Sequence, residues 1–397
     1  MGSIRGVVVL SGVRTAIGTF GGSLKDQPVA DLAALVTREA VARAGVAPAD
    51  VGHVAFGNVI HTEPRDMYLA RVAAVNGGLP VETPAVTVNR LCGSGLQAIV
   101  SAAQVIQTGH ADVAVAGGAE TMSRSPYWLP SMRWGQRMND AAAVDAMTAA
   151  LSDPFEACHM GITAENIAKR WEISREEQDQ LALESQQRAA AAIAEGRFAE
   201  QVVGVELKSR KGTTTFDTDE HVRGDATLES LAKLRPVFDP QGTVTAGNAS
   251  GLNDAAAAVV LMAREEAEAR GLTPMARLVG YSFAGVEPAY MGIGPVPAVK
   301  KLLEQTGLTV ADLDVIELNE AFASQALAVM RDLDLPAERT NPNGSGISLG
   351  HPIGATGCIL TVKALYELER TGGRYALVTM CIGGGQGIAA IFERVAA

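Results

Sequence analysis

The sequence predicts an α/β layered fold with a largely parallel sheet, and three observations carry that expectation. Short β-branched runs that end on glycine alternate with stretches of helical period. The later part of the chain restates the earlier part: Ala44-Gly45 through Val51 aligns with Thr306-Gly307 through Leu313, displaced throughout by 262 residues. A length of 397 residues, 47% of them hydrophobic, is ample for a large core divided into two or three domains.

Gly6 to Leu10 reads as the first strand and Ser11-Gly12-Val13-Arg14-Thr15 as a turn. Asp31 to Ala44 places Leu32, Leu35, Val36 and Ala40 on one face and stops at Gly45, the pattern of an amphipathic helix with a glycine cap. Val51 to Phe56 is the second strand, closing on Gly57-Asn58, and Arg65 to Asn76 is a short helix. Ala85 to Val88 reads as a buried strand that leads through Cys92 into a helix. Leu96, Ile99, Val100, Ala103 and Ile106 mark that helix, and Gln107-Thr108-Gly109 stops it. Asp112 to Ala116 is a further strand, ended by Gly117-Gly118.

Thr121 to Asp140 carries Trp128, Trp134, Pro126, Pro130 and three Met residues without period, and so reads as an excursion from the sheet. Helices follow over Ala164 to Arg170, and from Ser174, whose Glu177 completes a capping box, to Gly196. Residues 206–235 collect Lys208, Arg210, Lys211, Arg223, Lys233 and Arg235, a basic stretch that is either ordinary solvated surface or a site for an anionic ligand. The sheet pattern resumes with Asn248 to Asp254 and the apolar run Ala255 to Met262. Leu313 to Glu317 then echoes Val51 to Phe56. Asn343-Gly344 to His351 and the helix through Leu368 echo the Cys92 region, and Tyr375 to Met380 echoes Asp112 to Ala116.

A net charge of -11 argues against nucleic acid or an anionic membrane as partner. No apolar run is long enough to span a bilayer. The start, Met1 to Arg5, passes directly into a strand without the pattern of a signal or transit peptide. Four cysteines without paired short spacing give neither a disulfide framework nor a zinc motif. A cytoplasmic, reducing location with free thiols is expected.

Cys92 is placed at a helix start, where unpaired N–H groups and the helix dipole favour thiolate over thiol. Gly93 and Gly95 are expected to leave its sulfur uncovered. His351, in Gly350-His351-Pro352-Ile353-Gly354, would face Cys92 if the two echoing helices pack together, with both N-termini opening onto one crevice. It would then act as the base of a nucleophile–base pair for acyl transfer. Cys381, directly after a strand and before Gly383-Gly384-Gly385, is a candidate for exposure and proton transfer. A core thiol is the alternative reading for either cysteine, and a hydrogen-bonded loop residue for His351.

Asn89-Arg90-Leu91-Cys92-Gly93-Ser94-Gly95, Asn319-Glu320-Ala321-Phe322, Gly350-His351-Pro352-Ile353-Gly354-Ala355-Thr356-Gly357 and Cys381-Ile382-Gly383-Gly384-Gly385-Gln386-Gly387 resemble the four signatures of the thiolase family. The likeness spans essentially the whole chain, including Val13 to Gly18 and Thr245 to Asp254. It is strongest toward bacterial acetyl-CoA acetyltransferases and the β-ketothiolases of polyhydroxyalkanoate-producing bacteria.

The resemblance implies a thiolase-like α/β fold: two pseudo-symmetric βαβαβαββ halves in a five-layered α-β-α-β-α arrangement, plus an inserted loop domain. Its implied boundaries are 1–120 with 249–271, 121–248, and 272–397. It implies a reversible Claisen condensation of acetyl-CoA with an acyl-CoA, and the reverse thiolysis of a 3-ketoacyl-CoA. Cys92 would carry the acyl group, His351 take its proton, and the backbone N–H groups of Cys92 and Gly383 hold the oxyanion. Cys381 would deprotonate acetyl-CoA, with the enolate oxygen on His351 and on a water fixed by Asn319.

Coenzyme A would be a substrate, with no metal or redox cofactor. It would contact Leu151, His159, Met160, Arg223, Ser230, Phe238, Ala246 and Ser250 on and beside the loop domain. Met291, Ala321 and Phe322 would line the acyl end. The family also implies a homotetramer, a dimer of dimers tied by Thr121 to Asp140.

Two departures bear on substrate. Cys158 precedes His159 where many acetoacetyl-specific members carry an aromatic residue, and Leu318 precedes Asn319 where a smaller residue is common. Removal of the aromatic leads to the expectation of a longer acyl chain, such as that of 3-ketovaleryl-CoA. The alternatives are a non-catalytic thiolase-like acyl-CoA or lipid carrier, and a decarboxylating ketoacyl synthase. The joint presence of Cys92, His351 and Cys381 speaks against the first, and Asn319 with Cys381 in place of two histidines against the second. Cys358 lies outside every motif and reads as packing.

Overall fold

The computed structural model describes residues 4–210 and 212–395; Lys211 of the basic stretch lies outside the described residues. The first strand, β1, runs from Val7 to Thr15 and is buried throughout. It therefore continues across the residues whose polarity suggested a turn. A bulge between Val9 and Ser11 accommodates the change. Ser11 donates to the carbonyl of Ala40 at 2.7 Å, and the Arg14 guanidinium pairs with Asp219, so the polar side chains are satisfied inside.

The chain then forms α1 (Val29–Ala44), β2 (Val51–Gly57), α2 (Leu69–Asn76), β3 (Ala85–Val88), α3 (Ser94–Gln107) and β4 (Val113–Thr121). An insertion follows, containing α4 (Met160–Arg170) and α5 (Arg175–Ala194), before β5 (Asn253–Ala263) completes the first half. The second half comprises β6 (Ala276–Gly285), α6 (Pro295–Thr306), β7 (Val315–Leu318), α7 (Ala323–Asp332), α8 (Thr356–Thr371), β8 (Tyr375–Ile382) and β9 (Gln386–Arg394). Its counterpart of β3 is reduced to one bridge between Ile316 and Thr340.

The main sheet runs β7-β8-β9-β6-β1-β5-β4-β2-β3, and the halves join where Val8 and Val9 of β1 meet Arg277 and Ala276 of β6. It is mixed rather than largely parallel. Only β2 with β3, β2 with β4, and β7 with β8 pair in parallel along this path. The last strand of each half enters antiparallel between two others: β5 between β1 and β4, β9 between β6 and β8. Alternation of strands and helices predicted the crossovers but could not reveal these insertions.

Three apolar clusters define five layers. One lies between α1–α2 and the first half of the sheet, one surrounds α3 and α8 between the halves, and one joins α6–α7 to the second half. The central pair of helices meets without side chains between them. A Cβ on Gly95 would lie 2.7 Å from the Cys358 nitrogen, and one on Gly357 would lie 2.3 Å from the Leu96 nitrogen. Close packing at these two glycines brings the N-termini of both helices to one place.

The insertion departs from the single basic site considered above. Lys208 and Arg210 belong to a hairpin, Val205–Ser209 with Gly212–Phe216. Its Val205 and Phe216 pack on the outer core of the first half. Residues 129–143 are all exposed, with Trp134 at 93%. No helix among the described residues is long and apolar enough to cross a membrane.

Candidate active site

The segment Asn89 to Ser94 makes a tight corner between β3 and α3. Leu91 takes the left-handed conformation, with φ of 45°, a strained choice for a branched residue that its neighbours must enforce. The Asn89 side chain accepts from the Leu91 N–H at 2.9 Å. The Ser94 hydroxyl accepts from the Arg90 N–H and donates to the Leu91 carbonyl. The corner presents Cys92 to a cavity of about 440 Å³.

Gly93 and Gly95 serve a different purpose from the one expected of them. A Cβ on Gly93 would strike Ile382, and one on Gly95 the turn before α8, so both permit packing behind the sulfur rather than uncover it. The thiol itself is not activated at rest. Burial pushes its pKa up to about 11, outweighing the N–H groups of Gly383 and Cys92 that face the sulfur; the buried Glu120 adds to the rise. The helix start alone does not make a thiolate here.

His351 lies in the same cavity wall, on the turn before α8. Its backbone N–H donates to Asn253 Oδ1 at 2.9 Å, at the beginning of β5. The Thr356 hydroxyl donates to the Pro352 carbonyl at 2.9 Å. With its one proton so used, it must accept from His351 Nδ1 at 2.7 Å. Nε2 is thereby left without a proton, 3.4 Å from Asn319 Nδ2. Burial lowers the imidazole pKa to about 4, so the ring is neutral near pH 7. The neutral ring thus keeps a nitrogen able to accept a proton, and that nitrogen lies beside the Asn319 side chain.

Asn319 is fully buried, and its Oδ1 has no protein partner. Asn319 is not part of the cavity lining, and a buried polar atom without a protein partner is a seat for water. Cys381 is also fully buried rather than exposed, and it is not part of the cavity lining. It sits directly behind that lining, in a cluster with Met160, Met291, Ala321 and Phe322. Burial drives its pKa far up, with the Cys92 charge adding to the effect, so the two sulfurs lie within electrostatic reach of each other.

Of the other residues singled out in the sequence, Leu151, His159, Met160, Phe238, Ala246 and Ser250 line the cavity, as do Met291, Ala321, Phe322 and Gly383. The His159 ring stacks on Phe238 with centroids 4.6 Å apart, and Phe238 meets Phe322 edge-on. Arg223 and Ser230 are exposed and do not reach it. Neither Cys158 nor Leu318 lines it, so neither departure enlarges the acyl pocket directly. Leu318 is fully buried in β7, and Cys158 pairs with Asp153 in a two-residue strand. Among the described residues no group of three or more His, Cys, Asp or Glu is placed to hold a metal.

Three residues that sequence reasoning passed over support the site. Thr356 fixes the His351 tautomer, and only its place inside the glycine-rich motif hinted at it. Glu120 is fully buried at the end of β4 and accepts from the N–H groups of Val59, Ile60 and Gly354 and from the Asn58 side chain. It clamps the His351 turn to the first half, and burial lifts its pKa to about 8. Glu320 accepts from Ser185 of α5 and from Asn341, tying the insertion to the loop that carries Asn319.

Residues 7–265 match the family model described as Thiolase, N-terminal domain, and residues 272–394 match Thiolase, C-terminal domain. The chain is 70% identical over 392 residues to Beta-ketothiolase BktB of Cupriavidus necator, covering 98% of this chain and all of the relative. It is 46% identical to the human mitochondrial 3-ketoacyl-CoA thiolase over the full length of both. Among solved structures it resembles the Bacillus anthracis acetyl-CoA acetyltransferase, with a TM-score of 0.97 at 48% identity and full coverage of both chains. The human mitochondrial 3-ketoacyl-CoA thiolase in complex with CoA gives 0.96 at 45% identity, again over both chains in full.

Proposed function

The chain belongs to the thiolase family and is an acyl-CoA acyltransferase of the condensing and thiolytic kind, and from that premise we propose how its own residues carry the reaction. Cys92 is the nucleophile. As its sulfur attacks the thioester carbonyl of an acyl-CoA, its proton passes to Nε2 of His351 and on to the departing coenzyme A thiol. The carbonyl oxygen becomes an oxyanion held by the N–H groups of Cys92 and Gly383. A thiol that is protonated at rest is consistent with this order, because the base removes the proton only when a substrate arrives.

In the second half-reaction the Cys381 thiol first gives its proton to Nε2 of His351, and the thiolate so formed takes a proton from the methyl carbon of acetyl-CoA. The enolate oxygen rests on the Nε2–H that His351 now carries and on a water held by Asn319; the enolate carbon attacks the acyl carbon, and the departing Cys92 sulfur takes that Nε2 proton. Coenzyme A is a substrate here. Its pantetheine arm runs past Leu151, His159, Met160, Phe238, Ala246 and Ser250, and its nucleotide end lies outside the cavity near Ser230 and Arg223. Met291, Ala321 and Phe322 close the inner end against Cys381.

The observation that carries this reading is that Cys92, His351 and Gly383, from three separate segments, meet in one cavity with an N–H pair aimed at the sulfur. Incubation with acetyl-CoA and intact-mass measurement tests it. An acetyl adduct on Cys92, absent in Cys92→Ala, and formation of acetoacetyl-CoA without malonyl-CoA are expected. An unmodified Cys92 overturns the assignment.

We further propose that residues 121–248 act as a loop domain between a first half of 1–120 with 249–271 and a second half of 272–397. The exposed arm of residues 129–143 would then tie two dimers into a homotetramer, and the protein would work in the cytoplasm. Light scattering on a chain lacking that arm separates the tetramer from a dimer.

A further inference from the structure

Two apolar clusters flank the cavity, and they differ in which sulfur they hold. Cys381 belongs to the cluster with Met160, Met291 and Phe322, whereas Cys92 packs against Ile60, Met122, Ala146 and Ile353. An acyl group bonded to Cys92 therefore starts on the second cluster, while acetyl-CoA awaiting deprotonation occupies the first. A long acyl tail cannot share the first cluster with that acetyl group.

Behind the second cluster lies a second, half-open pocket of about 450 Å³, with Met67 and Trp128 exposed at its rim. Its walls are mainly apolar, among them Val59, Ile60, Met67, Trp128, Ala146 and Ala149. Leu91 and Ala150 line both this chamber and the substrate cavity. These two side chains, from two segments, are common to both walls. The Leu91 backbone is held in its strained conformation by Asn89 and Ser94, so this stretch of wall belongs to the corner that carries Cys92.

We infer that this outer chamber is an acyl-tail site: the ω end of a medium-length, unbranched acyl group on Cys92 passes between Leu91 and Ala150 into the space beside Ala149 and Trp128. The inference rests on the reading that Cys92 becomes acylated. The Cys92 sulfur–acyl bond forms in either direction: from an acyl-CoA the acyl–sulfur bond breaks and the coenzyme A thiol takes the proton, and from a 3-ketoacyl-CoA the C2–C3 bond breaks and the departing acetyl-CoA takes a proton on its methyl carbon. Only the destination of the tail is new. Each methylene buried there is worth about fourfold in binding, so a chamber of this kind sets how far activity extends beyond acetoacetyl-CoA.

The test compares thiolysis of acetoacetyl-CoA with that of 3-ketooctanoyl-CoA, which leaves a hexanoyl group on Cys92. In Ala149→Phe, a ring placed in the chamber should lower the ratio of kcat/KM for the longer substrate over the shorter at least tenfold. A ratio within twofold of the wild type in a folded variant overturns the inference. Should that variant not fold, the wild-type crystal structure after reaction with hexanoyl-CoA decides. Tail density between Leu91 and Ala150 supports the site, and density toward Phe322 or the cavity mouth overturns it. Wild-type protein that acetylates Cys92 but never accepts the hexanoyl group overturns the chamber alone, whereas failure to acetylate overturns the underlying reading.

Discussion

Replacing Thr356 with Val tests whether the imidazole works as a base of fixed tautomer. The hydroxyl has one proton, given to the Pro352 carbonyl, and its lone pair receives the His351 Nδ1 proton at 2.7 Å. Valine keeps the shape and removes both bonds. The buried Nδ1–H then has no acceptor, a loss of about 1–3 kcal/mol, and the proton gains by moving to Nε2, the nitrogen that must be bare to take the Cys92 proton. If that whole penalty falls on the transition state for acylation, the rate drops by about 5- to 150-fold, since about 1.4 kcal/mol is tenfold. The assay is rapid-quench measurement of acetyl-Cys92 formation under single-turnover conditions. Thr356→Ser should stay within threefold of wild type. A Thr356→Val rate within twofold of wild type, in protein that melts normally, would show that the tautomer is not set by this contact.

Two further outcomes follow from the same geometry. With the resting Cys92 thiol held up at about 11, alkylation by iodoacetamide in the absence of substrate should rise nearly tenfold per pH unit from pH 7 to pH 9; a plateau below pH 8 would mean that a thiolate is already present. Gly357→Ala places a methyl group 2.3 Å from the Leu96 nitrogen, against backbone that cannot turn aside. Denaturant titration should show a loss of about 1–3 kcal/mol, and a variant as stable as the parent would mean that the helices cross less closely than described.

Much of this architecture was legible because its cause is local. The duplicated order of elements, the glycine caps at Gly45 and Gly307, and the capping box at Ser174 all depend on residues near in sequence. So does the meeting of α3 with α8, once the repeat is recognised. What escaped depends on distant partners. The continuation of β1 through Ser11 and Arg14 requires Ala40 and Asp219, 29 and 205 residues away along the chain. The protonation state of Cys92 is decided by how deeply other segments bury it, and a dipole argument made on its own helix found only the smaller of two opposing effects. The basic stretch looked like one site because charge was read along the chain, whereas its hairpin packs on the outer core of the first half and none of its basic side chains lines the cavity.

The repeat also explains why there is one site rather than two. The offset of 262 residues persists in the coordinates: His53 pairs with Ala114 as Val315 does with Ala376, and α3 begins at Ser94 as α8 does at Thr356. Applied to the site, it maps Cys92 onto Gly354, His351 onto Asn89, Asn319 onto Gly57 and Cys381 onto Ala119. Each chemically active residue thus faces a twin that has become structural. Asn89 braces Leu91, and the Gly354 N–H is held by Glu120. At Gly57 a Cβ would lie 2.6 Å from the Ser94 carbonyl carbon, so the position opposite Asn319 cannot carry a side chain without pushing α3 away. At Gly354 a Cβ would lie 2.5 Å from the Glu120 carboxylate and 3.0 Å from Asn58 Cα. A second nucleophile therefore has no room, because the clamp that positions the His351 turn fills the space it would need. Two equivalent helix starts supply the crevice, and the asymmetry of what fills it puts the proposed nucleophile in one half and the proposed proton-handling groups in the other.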